Sequence, residues 1–166
     1  MKRILTMVLI LVLLAAAGTG SAAGTSGETS ASNGQSIAKS GSQAAFSAPE
    51  QYFTGNVRVN MLFVPKKELP ASGAYVTFEA GARSAWHTHP AGQTLVVTSG
   101  IGLTQEWGGP IVEIRPGDVV RCPPGIKHWH GASPGRAMTH MAITGEVNGK
   151  NVEWMEKVTD RQYHGR

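Results

Sequence analysis

The feature that most constrains the fold of this chain is a series of short apolar or alternating runs, separated by glycine and proline turns. Runs of this length suit β-strands, and the close spacing of the turns favours an antiparallel barrel or sandwich. A short helix is predicted only for residues 159–163, with Thr159 as its N-cap. The sequence therefore predicts an all-β fold. The expected strands are 57–64, 74–80, 85–89, 94–98, 102–107, 112–114, 118–122, 128–131 and 138–144.

Several histidines within these runs have the spacing of a metal site. His87 and His89 are two residues apart, so on a strand their side chains point to the same face and can reach one ion. Gln93 adds a side-chain carbonyl oxygen and His128 a third imidazole, which gives neutral N/O ligands that suit a divalent first-row metal. The full spacing is G-x5-H-x-H-x3-Q-x6-G over 81–100 and G-x5-P-x-G-x2-H over 117–128.

These two motifs resemble those of the cupin superfamily, and the resemblance extends over roughly 50–160. It implies a single-domain jelly-roll barrel, also called a double-stranded β-helix. Two positions depart from the usual pattern: Gln93 stands where most cupins have Glu, and Ala132 stands where the second motif usually ends in Asn. The ligand set, together with the segments AWHTHP, KHWHGA and MTHMAI, looks specifically like the small bacterial manganese cupins with hydroxynitrile lyase activity.

The resemblance implies a metal-dependent carbon–carbon lyase that reversibly cleaves cyanohydrins such as mandelonitrile to an aldehyde or ketone and cyanide, with a metal as Lewis acid and a histidine as base. Neutral ligands leave the charge of the ion uncompensated, which strengthens its Lewis acidity and disfavours oxidised iron. The manganese preference comes from the resemblance alone, because the ligand types also suit iron, zinc, nickel or cobalt. The alternatives are a cupin-type dioxygenase of a small aromatic or enolic substrate and a non-enzymatic metal- or ligand-binding cupin.

Two further histidines are candidates for catalysis. His130 follows His128 by two residues, so on a regular strand it faces the same way and either contacts the substrate or the ligands, or makes ordinary hydrogen bonds at the rim. His140 lies in an otherwise apolar strand and needs a polar partner, so it is either a general base near the metal or a satisfied core residue. The positions that line the substrate cavity in the resembling lyases, and that form either a size filter or plain core here, are Ala74, Val76 and Thr144.

The first 48 residues are expected to lie outside the folded domain. Residues 1–23 have the pattern of an export signal, with a positive start, an apolar run and a small-residue cleavage site at 21–23. We therefore expect a periplasmic or secreted protein, the alternative being an uncleaved N-terminal anchor. Residues 24–48 are almost all small or polar and predict a flexible linker, which leaves 49–166 as one cupin domain.

The charge and composition of the chain indicate which kinds of partner to expect. The formal charge is +4, but the positive residues are spread along the chain and form no basic stripe with interleaved aromatics, so no nucleic acid is expected. The expected partner is a small-molecule substrate, with no membrane contact after signal cleavage. Cupins of this size often pair through their barrel faces, which implies a homodimer or homotetramer. Cys122 is expected to be a small buried apolar residue, with metal ligation as the alternative. The residues expected to serve packing, with a role as substrate platforms as the alternative, are Trp86, Trp107, Trp129 and Trp154.

Overall fold

The computed structural model describes residues 34–165, and the chain from Ile37 onwards forms one compact unit. The regular structure is almost wholly β, as expected. The strands are β1 (Ala45–Ser47), β2 (Phe53–Thr54), β3 (Val57–Phe63), β4 (Ala71–Phe78), β5 (Arg83–Ser84), β6 (His87–Thr88), β7 (Gln93–Gly100), β8 (Gly102–Glu106), β9 (Val112–Ile114), β10 (Val119–Cys122), β11 (His128–Ala132), β12 (Met138–Gly145) and β13 (Glu153–Trp154), and the helix is α1 (Asp160–Tyr163).

The strands form two antiparallel sheets that enclose one apolar core. The first sheet has the order β1-β3-β4-β12-β7-β10. The second has the order β13-β6-β11-β5-β2, and β8 extends it by pairing with both β11 and β9. Residues from both sheets meet in the core, which therefore lies between them. The core residues are Val57, Val76, Phe78, Ala82, Leu95, Val97, Ile114, Ala132, Met138 and Ala142.

The inner face of the first sheet follows the alternation expected from the sequence. In β4, Val76 and Phe78 are buried, whereas Tyr75 is 40% exposed. In β12, Met138 and Ala142 are buried, whereas Ile143 is 37% exposed. The apolar face of each strand therefore points inward, and the even-numbered residues of β12 are directed towards the interior.

A second apolar cluster lies beneath the C-terminal tail. The Tyr163 hydroxyl donates to the Ala132 carbonyl over 2.7 Å, and the Arg83 guanidinium lies over the Tyr163 ring at 4.6 Å. Arg83 also donates to the Val158 carbonyl and pairs with Asp160. These contacts fasten the tail to the second sheet. The buried members of the cluster are Trp86, Trp129, Val158 and Tyr163, so the packing role predicted for the first two is confirmed.

The short C-terminal helix forms where the sequence predicts it. Thr159 is the N-cap, and its side chain accepts a hydrogen bond from the Gln162 backbone N–H. The Gln162 side chain accepts from the Thr159 backbone N–H in return, which completes a capping box. No helix in the described residues is long and apolar enough to span a membrane.

The N-terminal boundary of the barrel differs from the prediction. Residues 45–47 form β1, which pairs with β3, although they lie within the predicted linker 24–48. The prediction was wrong here because an edge strand is held mainly by backbone hydrogen bonds, which small residues make as well as large ones. The predicted signal 1–23 and the first part of the linker lie outside the described residues.

Candidate metal centre

The expected ligand residues come together because both sheets contribute to the site. His87 in β6 lies directly opposite His128 in β11, within the second sheet. Gln93 begins β7 in the first sheet, and His89 follows β6 by one residue. The expected single strand 85–89 is therefore interrupted: only His87–Thr88 form β6, and His89 reaches the site from the turn that follows.

Backbone carbonyls select the tautomer of each expected imidazole ligand. The Nδ1 atoms of His87 and His128 lie 2.9 Å from the carbonyls of Ala85 and Ile126. The Nδ1 of His89 lies 2.5 Å from the Asn151 carbonyl. A carbonyl oxygen only accepts, so each Nδ1 must donate a proton, and each Nε2 then keeps its lone pair. This arrangement is the usual preparation of a histidine for metal binding.

Three lone-pair atoms of the expected ligands are buried without a hydrogen-bond donor in the described part of the chain. They are His89 Nε2, His128 Nε2 and Gln93 Oε1. A buried acceptor that lacks a donor costs about 1–3 kcal/mol, so three of them in one site call for an explanation. A cation between them would satisfy all three. The residues therefore fit the divalent ion that the sequence predicts.

The rings of the site are close enough to act on one ion. The ring centroid of His87 lies 4.3 Å from that of His128 and 4.9 Å from that of His89, and the latter two are 5.4 Å apart. The nitrogens that His87, His128 and His130 offer also lie within 4.8 Å of one another. His130 differs from the other histidines because its Nδ1 pairs with His140 Nε2, at 3.1 Å, instead of a backbone carbonyl.

Burial keeps the imidazoles of the site neutral. It lowers the pKa of His128 to about 4 and that of His140 to about 3. The pKa of His87 falls well below its usual value, through burial first and then the nearby His128. The pKa of His130 also falls well below its usual value, through burial and then the nearby His140. Neutral imidazoles at physiological pH can act as ligands or as bases.

A cavity of about 330 Å³ adjoins the ligand residues. Its size is at the lower end of the range for small-molecule sites. All three residues expected to line a substrate cavity contribute to its wall, and His130 and His140 do so as well. The wall residues that belong to the first sheet, together with Ala48 directly after β1, are Phe46, Ala48, Val59, Ala74, Val76, Gln93, His140, Ala142 and Thr144.

An aromatic group forms another part of the cavity wall. Trp154 stacks on Tyr52, with ring centroids 4.8 Å apart, and meets Phe53 edge-on at 5.3 Å. Its ring centroid lies 4.9 Å from that of His87. Trp154 therefore packs against its neighbours as predicted, and its position opposite His87 in the β13–β6 ladder also makes it part of the cavity wall.

The other residues expected to serve packing have different surroundings. Cys122 is buried, as expected, and burial raises the pKa of its thiol to about 11. Trp107 is 52% exposed and stacks with the Lys127 ammonium, which lies 3.5 Å from its ring centroid.

Sequence reasoning missed Tyr52, Phe53 and the Asn151 carbonyl, because they lie in short segments without a periodic pattern.

Known proteins share both the fold and much of the sequence. Residues 74–143 match the family model described as Cupin domain. A protein named (R)-mandelonitrile lyase from Granulicella tundricola is 57% identical over 122 residues, which cover 74% of this chain and 93% of that protein. A cupin-like protein from Thermotoga maritima, solved as a crystal structure, is 40% identical with a TM-score of 0.67 and covers 79% of this chain and 96% of that one.

A more distant structure shares the fold alone. A cupin 2 conserved barrel domain protein from Rhodopseudomonas palustris is 21% identical, with a TM-score of 0.55, over 63% of this chain and 72% of that one. Its likeness agrees with the two antiparallel sheets and their enclosed core. The family match, the relative from Granulicella tundricola and the histidine site lead to the same assignment, and this chain belongs to the cupin family.

Proposed function

We propose that this protein is a metal-dependent hydroxynitrile lyase, which reversibly cleaves a cyanohydrin to an aldehyde or ketone and cyanide. The observation that carries the proposal is a group of three buried atoms that have no hydrogen-bond donor in residues 34–165: His89 Nε2, His128 Nε2 and Gln93 Oε1. They lie beside a cavity that His130 and His140 also line. The name of the Granulicella tundricola relative supports mandelonitrile as the substrate to test first.

His87, His89, His128 and Gln93 would hold the ion. When bound, a divalent ion supplies Lewis-acid chemistry, which favours negative charge on an oxygen atom beside it. We take manganese as the ion, on the resemblance to manganese cupins. The chain contributes uncharged ligands only, so none of the ion's positive charge is offset by a ligand carboxylate.

The base in this proposal is His130, with His140 behind it. A nitrogen of His130 lies within 4.8 Å of nitrogens of His87 and His128. His140 lines the cavity but is 0% exposed, and its Nε2 pairs with His130 Nδ1. If His130 Nδ1 donates to His140 Nε2, the His130 Nε2 lone pair is free to accept a proton. This assignment differs from the sequence-based expectation, in which His140 was the candidate for the general base.

In the proposed reaction the proton taken from the substrate is returned to the product, and no electrons are gained or lost by the site. His130 Nε2 accepts the hydroxyl proton of the cyanohydrin, and a carbonyl forms as the C–C bond breaks. The bonding electron pair leaves with cyanide, and the protonated His130 returns the proton to it. His140 Nε2 accepts a hydrogen bond from His130 Nδ1 throughout and stabilises the charged form of His130.

The cavity walls suit a substrate that carries an aromatic ring. Trp154, Tyr52 and Phe53 offer ring faces and edges within reach of the ligand group, and aromatic pairs favour such offset or edge-on contacts. On the opposite wall, Ala74 and Val76 leave room because their side chains are small. We therefore expect mandelonitrile to be cleaved faster than an aliphatic cyanohydrin of similar length.

The direct test is the appearance of benzaldehyde from mandelonitrile, with protein that has been stripped of metal and reloaded with Mn²⁺. We expect turnover well above that of free Mn²⁺, and its loss in His87→Ala together with the bound metal. His164→Ala is the matched control, because His164 lies exposed in the C-terminal tail. A rate for the loaded protein that equals that of free Mn²⁺ would overturn the proposal.

Two further proposals concern the setting of the enzyme. The export pattern of residues 1–23 supports a periplasmic or secreted protein. The partly exposed apolar side chains on the outer face of the first sheet, among them Tyr75 and Ile143, support a homodimer or homotetramer. Cell fractionation and size-exclusion chromatography with light scattering test the two proposals separately.

A further inference from the structure

We infer that Thr144 is a positioning residue for the metal centre: its hydroxyl holds the Gln93 amide with the carbonyl oxygen facing the ligand site. The inference rests on the metal site of the proposed function. Gln93 Nε2 donates to Thr144 Oγ1 over 3.0 Å, and both side chains are buried. The Oε1 atom of the same amide has no hydrogen-bond donor in the described residues.

Glutamine needs such a partner more than glutamate does. The two oxygens of a carboxylate are equivalent, so either can bind a cation. An amide has one acceptor end and one donor end of similar size, and only the acceptor end can bind a cation. A turn of about 180° around the last side-chain bond would direct N–H groups, which repel a cation, into the site.

The neighbouring His89 makes the wrong orientation attractive in the metal-free protein. His89 Nε2 is a buried acceptor that has no donor in the described residues, and Gln93 and His89 line the same cavity. A reversed amide would offer His89 an N–H. Thr144 gives the amino group an acceptor on the far side, so that the oxygen can face His89 and the ion instead.

The backbone brings Thr144 to this place through a register shift. The ladder between β12 and β7 pairs Thr139 with Ser99 but His140 with Val97, so Thr98 has no opposite residue. Beyond this bulge Thr144 lies directly opposite Gln93. Without it, the ladder would place Gly145, which has no side chain, opposite Gln93. The bulge and the hydroxyl therefore act together on the amide.

The test is Mn²⁺ affinity, measured by calorimetric titration of the metal-stripped protein. Thr144→Val removes the hydroxyl but keeps the size of the side chain, so neither end of the amide is held, and we expect affinity to fall about 10-fold or more. Thr144→Ser keeps the hydroxyl and should bind within about threefold of wild type. Thermal unfolding of each variant without metal verifies that it is folded.

A second background separates amide orientation from general packing. In Gln93→Glu no amide has to be oriented, so adding Thr144→Val should weaken Mn²⁺ binding by less than about threefold. Wild-type affinity in Thr144→Val, equal losses in Thr144→Ser and Thr144→Val, or equal losses in both backgrounds would each overturn the role of Thr144. A wild-type protein that takes up no Mn²⁺ would instead overturn the proposed function, and this inference with it.

Discussion

The histidine side chains of the candidate site are buried in the uncharged state, and this makes the stability of the fold depend on pH. Burial lowers the pKa of His128 to about 4 and that of His140 to about 3, and it lowers those of His87 and His130 as well. In the unfolded chain these side chains return to their ordinary pKa of about 6.5. Folding therefore excludes protons that the unfolded state binds, as soon as the pH falls below that value.

We predict that the metal-free protein loses stability as the pH falls. Above about pH 6.5 both states are neutral at these histidines, so the free energy of unfolding is unaffected by them. Below that pH it should decrease, down to about pH 3–4, where the folded-state groups begin to protonate. Urea unfolding at about pH 7.5 and about pH 5 measures the difference. Equal free energies of unfolding at both values would contradict the burial of neutral imidazoles.

We predict different effects of replacing His130, the proposed base, and His140, which lies behind it. His130→Ala should lower kcat about 10²–10⁴-fold with metal content intact, because a positioned base is lost. His140→Ala should have a smaller effect on kcat and should move the acid limb of the pH profile, because His140 acts through its hydrogen bond to His130. Metal analysis accompanies the kinetics. Equal loss of bound Mn²⁺ in either variant would show that the histidine holds the site together instead.

We predict that Trp154 selects aromatic substrates. Trp154→Ala removes the ring that stacks on Tyr52 and should raise KM for mandelonitrile more than KM for an aliphatic cyanohydrin. Trp107→Ala is the matched control, since Trp107 is largely exposed and lines no part of the cavity. A Trp154→Ala variant that affects both substrates equally would refute a selective role.

The residues of the candidate site were predictable to different extents. His87, His89, Gln93 and His128 could be found because their spacing along the chain already matches a metal-binding pattern. The contact between Gln93 and Thr144 could not, because it joins residues from distant strands and depends on a bulge that has no sequence signal of its own.

Among the secondary-structure elements, the C-terminal tail closes one face of the second sheet. Tyr163 packs against Trp129, and its hydroxyl satisfies the Ala132 carbonyl in β11. The helix that carries it has only four residues, so its stability comes from the cap and from packing rather than from helix propensity. Thr159, the N-cap, was recognisable in the sequence because capping is a local effect.

We predict that Tyr163→Phe lowers the free energy of unfolding by about 1 kcal/mol, because the ring remains but the Ala132 carbonyl loses its donor. Tyr163→Ala should cost about 3–5 kcal/mol, since it also empties an apolar site. Chemical denaturation measures both. His164→Ala, at the exposed neighbour, should have little effect, and a similar loss in that control would indicate a general sensitivity of the tail.

Short edge elements were the least predictable part of the fold. The expected strands correspond to strands of both sheets, and alternation between buried and exposed residues is clearest in the long ladders of the first sheet. β1, β2 and β13 were missed or left open because each has two or three residues, too few for a period to appear. All three nevertheless border the cavity, so the prediction was weakest around the cavity.

For the whole molecule, the resemblance to cupins predicted the arrangement of the sheets, and the observed order agrees with it. Strand order itself could not be worked out from composition or periodicity, because pairings such as β12 with β4 join residues at least 60 positions apart. The sequence of a strand shows directly which of its two faces is apolar. Which strands become neighbours depends on packing that only the complete chain achieves.

We predict that Mn²⁺ stabilises the folded protein as a whole. A ligand that binds only the folded state adds about 2.7 kcal/mol at a concentration 100 times its Kd. The melting temperature should therefore rise with Mn²⁺ concentration in wild type. His87→Ala should show no such rise, and Trp107→Ala should respond like wild type. A concentration-independent melting temperature in wild type would show that the ion does not bind the native state.

The ligand residues are divided between the two sheets: His87 and His128 belong to one, and Gln93 to the other. An ion held by all of them would therefore cross-link the sheets at a single end of the barrel, while apolar side chains join them elsewhere. Chelation should then quicken amide hydrogen exchange near the start of β7 and leave unchanged the exchange of Phe78 and Met138, which pair at the other end of the β4–β12 ladder. The same ion that activates a substrate would in this way govern how often its own end of the barrel opens to solvent.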